Sequence, residues 1–187
     1  MVEFYKPKTT GNGSSCTFSF NLRDKCMYTS LMKQHSWDSQ AKRANFKGNK
    51  DNPKAKANVK YNTGEIAGFI NAIESNEEYK GYHRSQNQII RFSFGPYVVD
   101  GVQKGFTYRL QREASEDSTD KVNFLIGFYP NELRLVKEYL VYVLHKVFES
   151  SLSTQNRENL NNNENSDSSK KSKNSFEESS SGDDDIW

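Results

Sequence analysis

Cysteine and histidine are scarce in this sequence, and long apolar runs are absent. The two cysteines, Cys16 and Cys26, form no close metal-ligand pair. If Arg23-Asp24-Lys25 turns a hairpin, Cys26 lies opposite Leu22 and Cys16 near Met32, a register that argues against a disulfide between them. The three histidines, His35, His83 and His145, have no cysteine or carboxylate partner at metal-ligand spacing. No P-loop, dinucleotide fingerprint or nucleophile elbow is present, and Gly11-Asn12-Gly13 reads as flexible chain rather than a phosphate loop. These gaps argue against catalysis and against any metal or cofactor. No run approaches the ~20 apolar residues of a membrane span, and Met1-Val2-Glu3-Phe4 opens no signal peptide. The expectation is an intracellular protein, of cytoplasm or nucleoid, with no membrane partner.

What is present is charge, unevenly placed. The net charge of +2 hides 22 basic against 16 acidic residues up to Ser150, and 4 against 8 from Ser151 to Trp187. A basic body joined to an acidic segment favours a polyanionic partner. On charge alone, a mildly basic soluble protein is an equally good reading.

Along the chain, residues 1–15 are polar and Gly-rich and read as a loose arm. Cys16, Phe18, Phe20 and Leu22 then alternate with polar residues, the period of a half-buried strand. Cys26 to Gln34 reads as a second strand and Gln40 to Phe46 as a weaker third. Ala55, Ala57, Val59 and Tyr61 mark a fourth. Asn62 stands three residues before Glu65, a capping-box pattern, and Ile66, Phe69, Ile70 and Ile73 give the helix that follows one apolar face. The order then repeats: Glu78 to Arg84, Gln88 to Phe94, Phe106 to Gln111 and Val122 to Phe128 as strands, then Leu133 to Phe148 as a helix starting near Pro130. Its stripe of Val136, Leu140, Val143 and Val147 is broadened by Leu133, Tyr139, Leu144 and Phe148, which suggests burial on more than one side, under a sheet or in an oligomer. From Ser151 to Trp187 the composition is too polar to offset the entropy of ordering, so this segment reads as a disordered tail.

One stretch mixes cations with aromatic rings. Lys33, Lys42, Arg43, Lys47, Lys50, Lys54, Lys56 and Lys60 are interleaved with Trp37 and Phe46, against only Asp38 and Asp51. Cations neutralise phosphates and release counterions, while exposed rings offer platforms to unpaired bases. Tyr79, Lys80, Tyr82, His83 and Arg84 repeat the mixture. The alternating rings Phe18, Phe92, Phe106 and Phe124 read as core. For Trp37 and Tyr82, packing and binding stand level. Arg91 and Arg109 occupy the non-core phase of their strands and can face outward, in binding or merely in solvation.

Two successive units of four strands and a helix resemble the Whirly fold, shared in outline by PUR-repeat proteins and kinetoplastid guide-RNA-binding proteins. The local likeness is Lys56-Ala57-Asn58-Val59-Lys60-Tyr61-Asn62-Thr63-Gly64-Glu65-Ile66-Ala67-Gly68-Phe69-Ile70, where a strand ends in a polar cap and enters a helix; Ala67 interrupts the family's Glu-Ile-Gly helix start. Tyr82-His83 resembles the family's aromatic-His pair, and the Lys-Gly-Lys-Ala-Ala-Leu motif is not found. The resemblance spans Cys16 to Phe148 and implies an α+β body, residues 16–150, that binds single strands with little sequence preference. The tip Asp183-Asp184-Asp185-Ile186-Trp187 resembles the acidic tip of bacterial single-stranded-DNA-binding proteins. That likeness implies docking of replication, repair or recombination proteins on the tail, residues 151–187, and the combination of body and tail suggests a phage- or plasmid-encoded source.

The expectation is therefore a non-catalytic protein that coats single-stranded DNA, or RNA, as a homo-oligomer. Its expected contact residues are Lys33, Trp37, Lys42, Arg43, Phe46, Lys47, Lys54, Lys56, Lys60, Tyr79, Tyr82, Arg84, Arg91 and Arg109. An OB-fold single-strand binder is the alternative architecture, which a long C-terminal helix fits poorly. An RNA-binding or transcription-regulating protein on the same body, or a pure interaction scaffold, are the alternative functions.

Overall fold

The computed structural model describes residues 1–86, 88–113 and 121–173, with side chains as far as Ser153. The chain divides into two compact units, Met1–Val147 and Phe148–Trp187. In the first unit, β1 (Val2–Lys6), β2 (Ser14–Asn21) and β3 (Cys26–Lys33) are followed by a small hairpin, β4 (Ser36–Asp38) and β5 (Arg43–Asn45). A 3-10 turn (Lys47–Asn49), β6 (Lys56–Tyr61) and helix α1 (Thr63–Ser75) complete the first repeat. The second repeat is β7 (Tyr79–Ser85), β8 (Gln88–Val99), β9 (Val102–Glu113), β10 (Lys121–Phe128) and helix α2 (Pro130–Lys173). Both large sheets are antiparallel, ordered β1-β2-β3-β6 and β10-β9-β8-β7.

The expected repeat is present, but its first unit is assembled differently. Residues 1–15 are not a loose arm: Val2–Lys6 pairs with β2 in the register Phe4↔Cys16. The alternation of Val2 and Phe4 with Glu3 and Tyr5 is too short to stand out from a polar neighbourhood, yet an edge strand needs little more once β2 offers it a ladder. The expected strand at Gln40 to Phe46 belongs to the separate β4–β5 hairpin, with Trp37 opposite Ala44. The β2–β3 pairing puts Asn21 opposite Cys26 and Cys16 opposite Leu31, one residue from the expected register. Both cysteines are free thiols.

Period-two patterning holds on the inner faces. Cys16, Phe18, Leu31, Val59 and Tyr61 from the first sheet meet Phe92, Phe94, Tyr108, Leu110, Phe124 and Ile126 from the second in one core. Each such ring or branched chain contributes about 1.5–3 kcal/mol by leaving water. A buried hydroxyl chain joins the two faces: Thr29 Oγ1 lies 2.9 Å from the Tyr108 hydroxyl, and the Tyr61 hydroxyl lies 2.5 Å from it. Burial pushes both phenols up from the ordinary tyrosine range, so they remain donors.

The helices close this core. The Asn62 side chain accepts from the Glu65 amide and Glu65 accepts from the Asn62 amide, the reciprocal box that the spacing predicts. Ile66, Phe69 and Ala72 are buried, and Phe69 stacks on Phe92 with centroids 5.8 Å apart. In α2, Val136, Leu140, Val143 and Val147 are buried as the stripe predicts, whereas Phe148 and Leu152 are exposed. The backbone of α2 stays helical to Lys173, past the point where apolar periodicity ends.

Candidate nucleic-acid interface

The open face of the second sheet is built by strand register. Core residues point one way at Phe92, Leu110 and Phe124, so their neighbours must point the other. Across the four strands this gives Tyr82–Arg91–Gln111–Asn123 as one row and Lys80–Ser93–Arg109–Leu125 as the next. These rows floor an open trough of about 1000 Å³, rimmed by Arg84 and Ile89. Four cations (Lys80, Arg84, Arg91 and Arg109) line it, and among the described residues no lining residue is acidic.

The trough is both charged and flat-sided. Tyr82 is 69% exposed, so its ring is not spent on packing. Gln111 donates to Asn123 Oδ1 at 3.1 Å, fixing an amide pair on the floor. Two carboxylates tune the cations from the margins. Glu113 is buried with Arg91 at 3.8 Å and Lys121 at 3.4 Å. Glu78 is held below the usual carboxylate range, chiefly by its bond to Lys80, with Ser93 and Arg109 adding to it. Arginine forks and an exposed ring on one surface can pair phosphates and stack on bases.

The open face of the first sheet carries a different chemistry. Its rows are Tyr5–Ser15–Met32–Lys56, Glu3–Thr17–Ser30–Asn58 and Ser19–Tyr28–Lys60. Hydroxyls dominate the middle and the lysines lie at the β6 margin. Phe46 packs edge-on against Tyr5, centroids 5.7 Å apart, and lines a small recess with Lys47, Lys50 and Lys56.

The sequence-predicted contact residues therefore fall into several places. Tyr82, Arg84, Arg91 and Arg109 are brought together in the trough. Phe46, Lys47 and Lys56 gather on the first sheet, with Lys60 on its outermost row. Trp37, half-buried, and Arg43 belong to the β4–β5 hairpin, with Lys42 at its turn and Lys54 in the loop before β6. Lys33 stands apart at the end of β3, its ammonium 5.1 Å from the centre of the Phe124 ring. Tyr79 packs into the core margin, 5.6 Å from Phe69 and 5.7 Å from Phe92; a Cβ on Gly68 would strike its ring. His83 also faces inward, 2.5 Å from Glu65 Oε1 and against Tyr61 and Phe92. Asp183 to Trp187 lie outside the described residues.

Sequence reasoning passed over Tyr5, Ser93, Gln111, Asn123 and Leu125. The last four share the outward phase that marks Arg91 and Arg109, so the alternation itself is their signal. Among the described residues, no group of three His, Cys, Asp or Glu side chains is placed to hold a metal ion, and no helix is long and apolar enough to cross a membrane.

No family model matches the sequence, and a search among curated proteins finds no match. Solved structures do match. The plant transcriptional regulator PBF-2 superposes with a TM-score of 0.56 at 11% identity, over 83% of this chain and 85% of that one. WHY3 from Arabidopsis thaliana superposes equally well, TM-score 0.56 at 11% identity, over 82% of this chain and 91% of that one. The fold is Whirly-like. At this identity the likeness resides in backbone topology, and the OB-fold alternative, with its five strands and single middle helix, is set aside by two four-stranded meanders each ending in a helix.

Proposed function

We propose that this Whirly-like chain binds single-stranded DNA with little sequence preference, using the open face of its second sheet. The observation that carries the reading is the trough itself: four cations, an exposed tyrosine and, among the described residues, no acid in its lining. Cations hold a phosphate chain regardless of sequence, and a ring stacks on any base. The trough is an open sheet face lined by cations, amides and a tyrosine, and the reading is a binding protein rather than an enzyme.

The proposal extends to assembly and partners. The chain acts as a homo-oligomer inside the cell, with Leu135, Tyr142 and Phe148 of α2 exposed for a partner copy to cover. Asp183-Asp184-Asp185-Ile186-Trp187 docks proteins of replication, repair or recombination, the acids steering and the apolar Ile186 and Trp187 anchoring. A second reading, regulation of transcription through the same body, is favoured by the likeness to PBF-2, a plant transcriptional regulator.

Filter binding of the full chain to oligo(dT), the corresponding RNA and a duplex tests the first reading. Single strands are expected to bind tightest, with a log–log salt slope of about −0.7 per phosphate contacted. Equal affinity for duplex and single strand at moderate salt would sink it. Pull-downs with the full chain and with a chain lacking Ile186 and Trp187 test the tip: recovery of the same partners by both baits removes the docking role.

A further inference from the structure

A second cavity, of about 460 Å³, lies where the edge of the second sheet meets the first. Its roof is the loop joining β1 to β2, including Lys8 and Gly11-Asn12-Gly13, and its floor includes Phe124, Leu125 and Gly127 of β10. The loop is held in place. Gln34, buried at the end of β3, accepts from the Lys8 amide at 2.9 Å and donates to the Lys8 carbonyl at 2.9 Å. Its own amide donates to the Gly13 carbonyl at 2.8 Å. A Cβ on Gly13 would lie 2.1 Å from Gln34 Oε1, so only glycine lets the pin close. Ser14 adds a clasp, donating to the Leu125 carbonyl at 2.7 Å.

The cavity is cationic. Lys6, Lys8 and Lys33 line it, and among the described residues no lining residue is acidic. Lys6 is already engaged by Glu132. Among the described residues, Lys8 and Lys33 form no ion pair with a carboxylate. Lys33 rests over the Phe124 ring instead, an arrangement that leaves its charge available to an anion. The cavity also continues the trough, since Asn123, Phe124 and Leu125 line both.

We propose that this cavity is a phosphate-holding subsite that carries the single-strand track of the second sheet around the β10 edge and under the β1–β2 loop. Lys8 and Lys33 supply the charge, and Gln34 is the positioning residue that keeps the loop over the strand. The glycines serve the loop's shape and do not cradle the phosphate. The inference rests on the single-strand reading of the trough and adds a direction and a minimum length to it: a strand long enough to leave the sheet reaches cations that a shorter one cannot.

Anisotropy titrations of the full chain with oligo(dT) of increasing length separate the two claims. The double variant Lys8→Ala, Lys33→Ala is expected to lower affinity several-fold more for long oligonucleotides than for short ones. Its salt slope on the long ones should flatten by about 1.4, two phosphates at ~0.7 each. Arg91→Ala with Arg109→Ala should instead weaken short and long strands alike. Should the lysine variant weaken every length equally, or none while the arginine variant weakens all, the subsite is overturned and the trough survives. Should neither variant matter, the single-strand reading beneath it falls. Inorganic phosphate, added at constant ionic strength, should not displace the long oligonucleotide. Displacement confined to long strands and absent from the lysine variant would reassign the cavity to free anions and overturn the proposal.

Discussion

Both four-stranded sheets turn one face to the shared core and leave the other open, yet the open faces are spent differently. On the second sheet the cations stand on β7, β8 and β9, with amides and Leu125 completing the rows. On the first, serines and threonines hold the middle and Lys56 and Lys60 stand on the edge strand. The same repeat thus produces one face able to grip a polyanion along its width and another that is mainly hydrated. The largest effect should therefore come from the second face. Removing Arg91 and Arg109 together should weaken single-strand affinity by about 1.5–3 kcal/mol for each charged hydrogen bond to phosphate that the arginines supply. Removing Lys56 and Lys60 should change the salt slope by less than the ~0.7 of a single phosphate. Equal effects from the two pairs, measured by filter binding, would erase the distinction between the faces.

A finer test sets two tyrosines of one strand against each other. Tyr79 and Tyr82 share β7, but Tyr79 packs on Phe69 and Phe92 whereas Tyr82 is exposed. Tyr82→Ala is expected to weaken binding by about 1–3 kcal/mol while hardly moving the melting temperature. Tyr79→Ala is expected to do the reverse, losing about 1–3 kcal/mol of stability, with binding per folded molecule unchanged. Thermal melts and titrations of both variants decide the matter.

How much of this is legible in the sequence depends on how local the signal is. Inner-face residues such as Phe106, Tyr108 and Leu110 are readable because alternation is a property of the strand alone. So is the Asn62–Glu65 cap, which spans three residues. The β8–β9 turn carries a local signal of the same kind: Asp100 and Gly101 both have positive φ, 51° and 74°, as a two-residue hairpin turn requires. Which outward residues share a surface is a different matter, because strand pairing decides it. Lys33 to Lys60 looks like one basic patch in sequence, but the hairpin carrying Trp37, Lys42 and Arg43 is a separate ladder from the sheet holding Lys56 and Lys60. The trough draws on four strands spread from Lys80 to Leu125, and only their pairing puts Tyr82 beside Arg91.

The core between the faces offers a pH-dependent effect. Tyr61 and Tyr108 titrate higher in the folded chain than the ordinary phenol value of about 10. A group raised on folding contributes stability that is complete below its unfolded value and is lost as pH rises above it. The stability of the fold should therefore begin to decline as pH rises past about 10. Tyr108→Phe should leave the Thr29 and Tyr61 hydroxyls without their common partner, costing about 1–3 kcal/mol at neutral pH, and should soften the alkaline transition. An unchanged alkaline midpoint in that variant would show that the hydroxyl chain does not couple the sheets.

The smallest expected effect returns to the faces and concerns their acids. On the first sheet, Glu3 accepts from the Tyr5 hydroxyl at 3.1 Å, a neutral donor that brings no charge for a phosphate to compete for. On the second, Glu78 is held low chiefly by Lys80, 2.8 Å away, with Arg109 contributing. Those cations are the ones a phosphate chain would claim. A strand lying in the trough should draw them from Glu78, and its carboxyl should relax upward toward the ordinary glutamate value of about 4.3. Binding then takes up a fraction of a proton between the lowered and the ordinary value, so affinity should rise slightly as pH falls through that window. The sign for folding is opposite: a carboxyl lowered on folding contributes stability above its unfolded value, which is lost as pH falls through the folded one. Because Glu78 is substantially exposed, screening keeps either effect below about 1 kcal/mol. Glu78→Gln should tighten single-strand binding modestly at pH 7 and abolish the acid-side rise, whereas Glu3→Gln should do neither. Titrations across pH 3.5 to 7 that show the same profile for both variants would place the strand somewhere other than the row of Lys80 and Arg109.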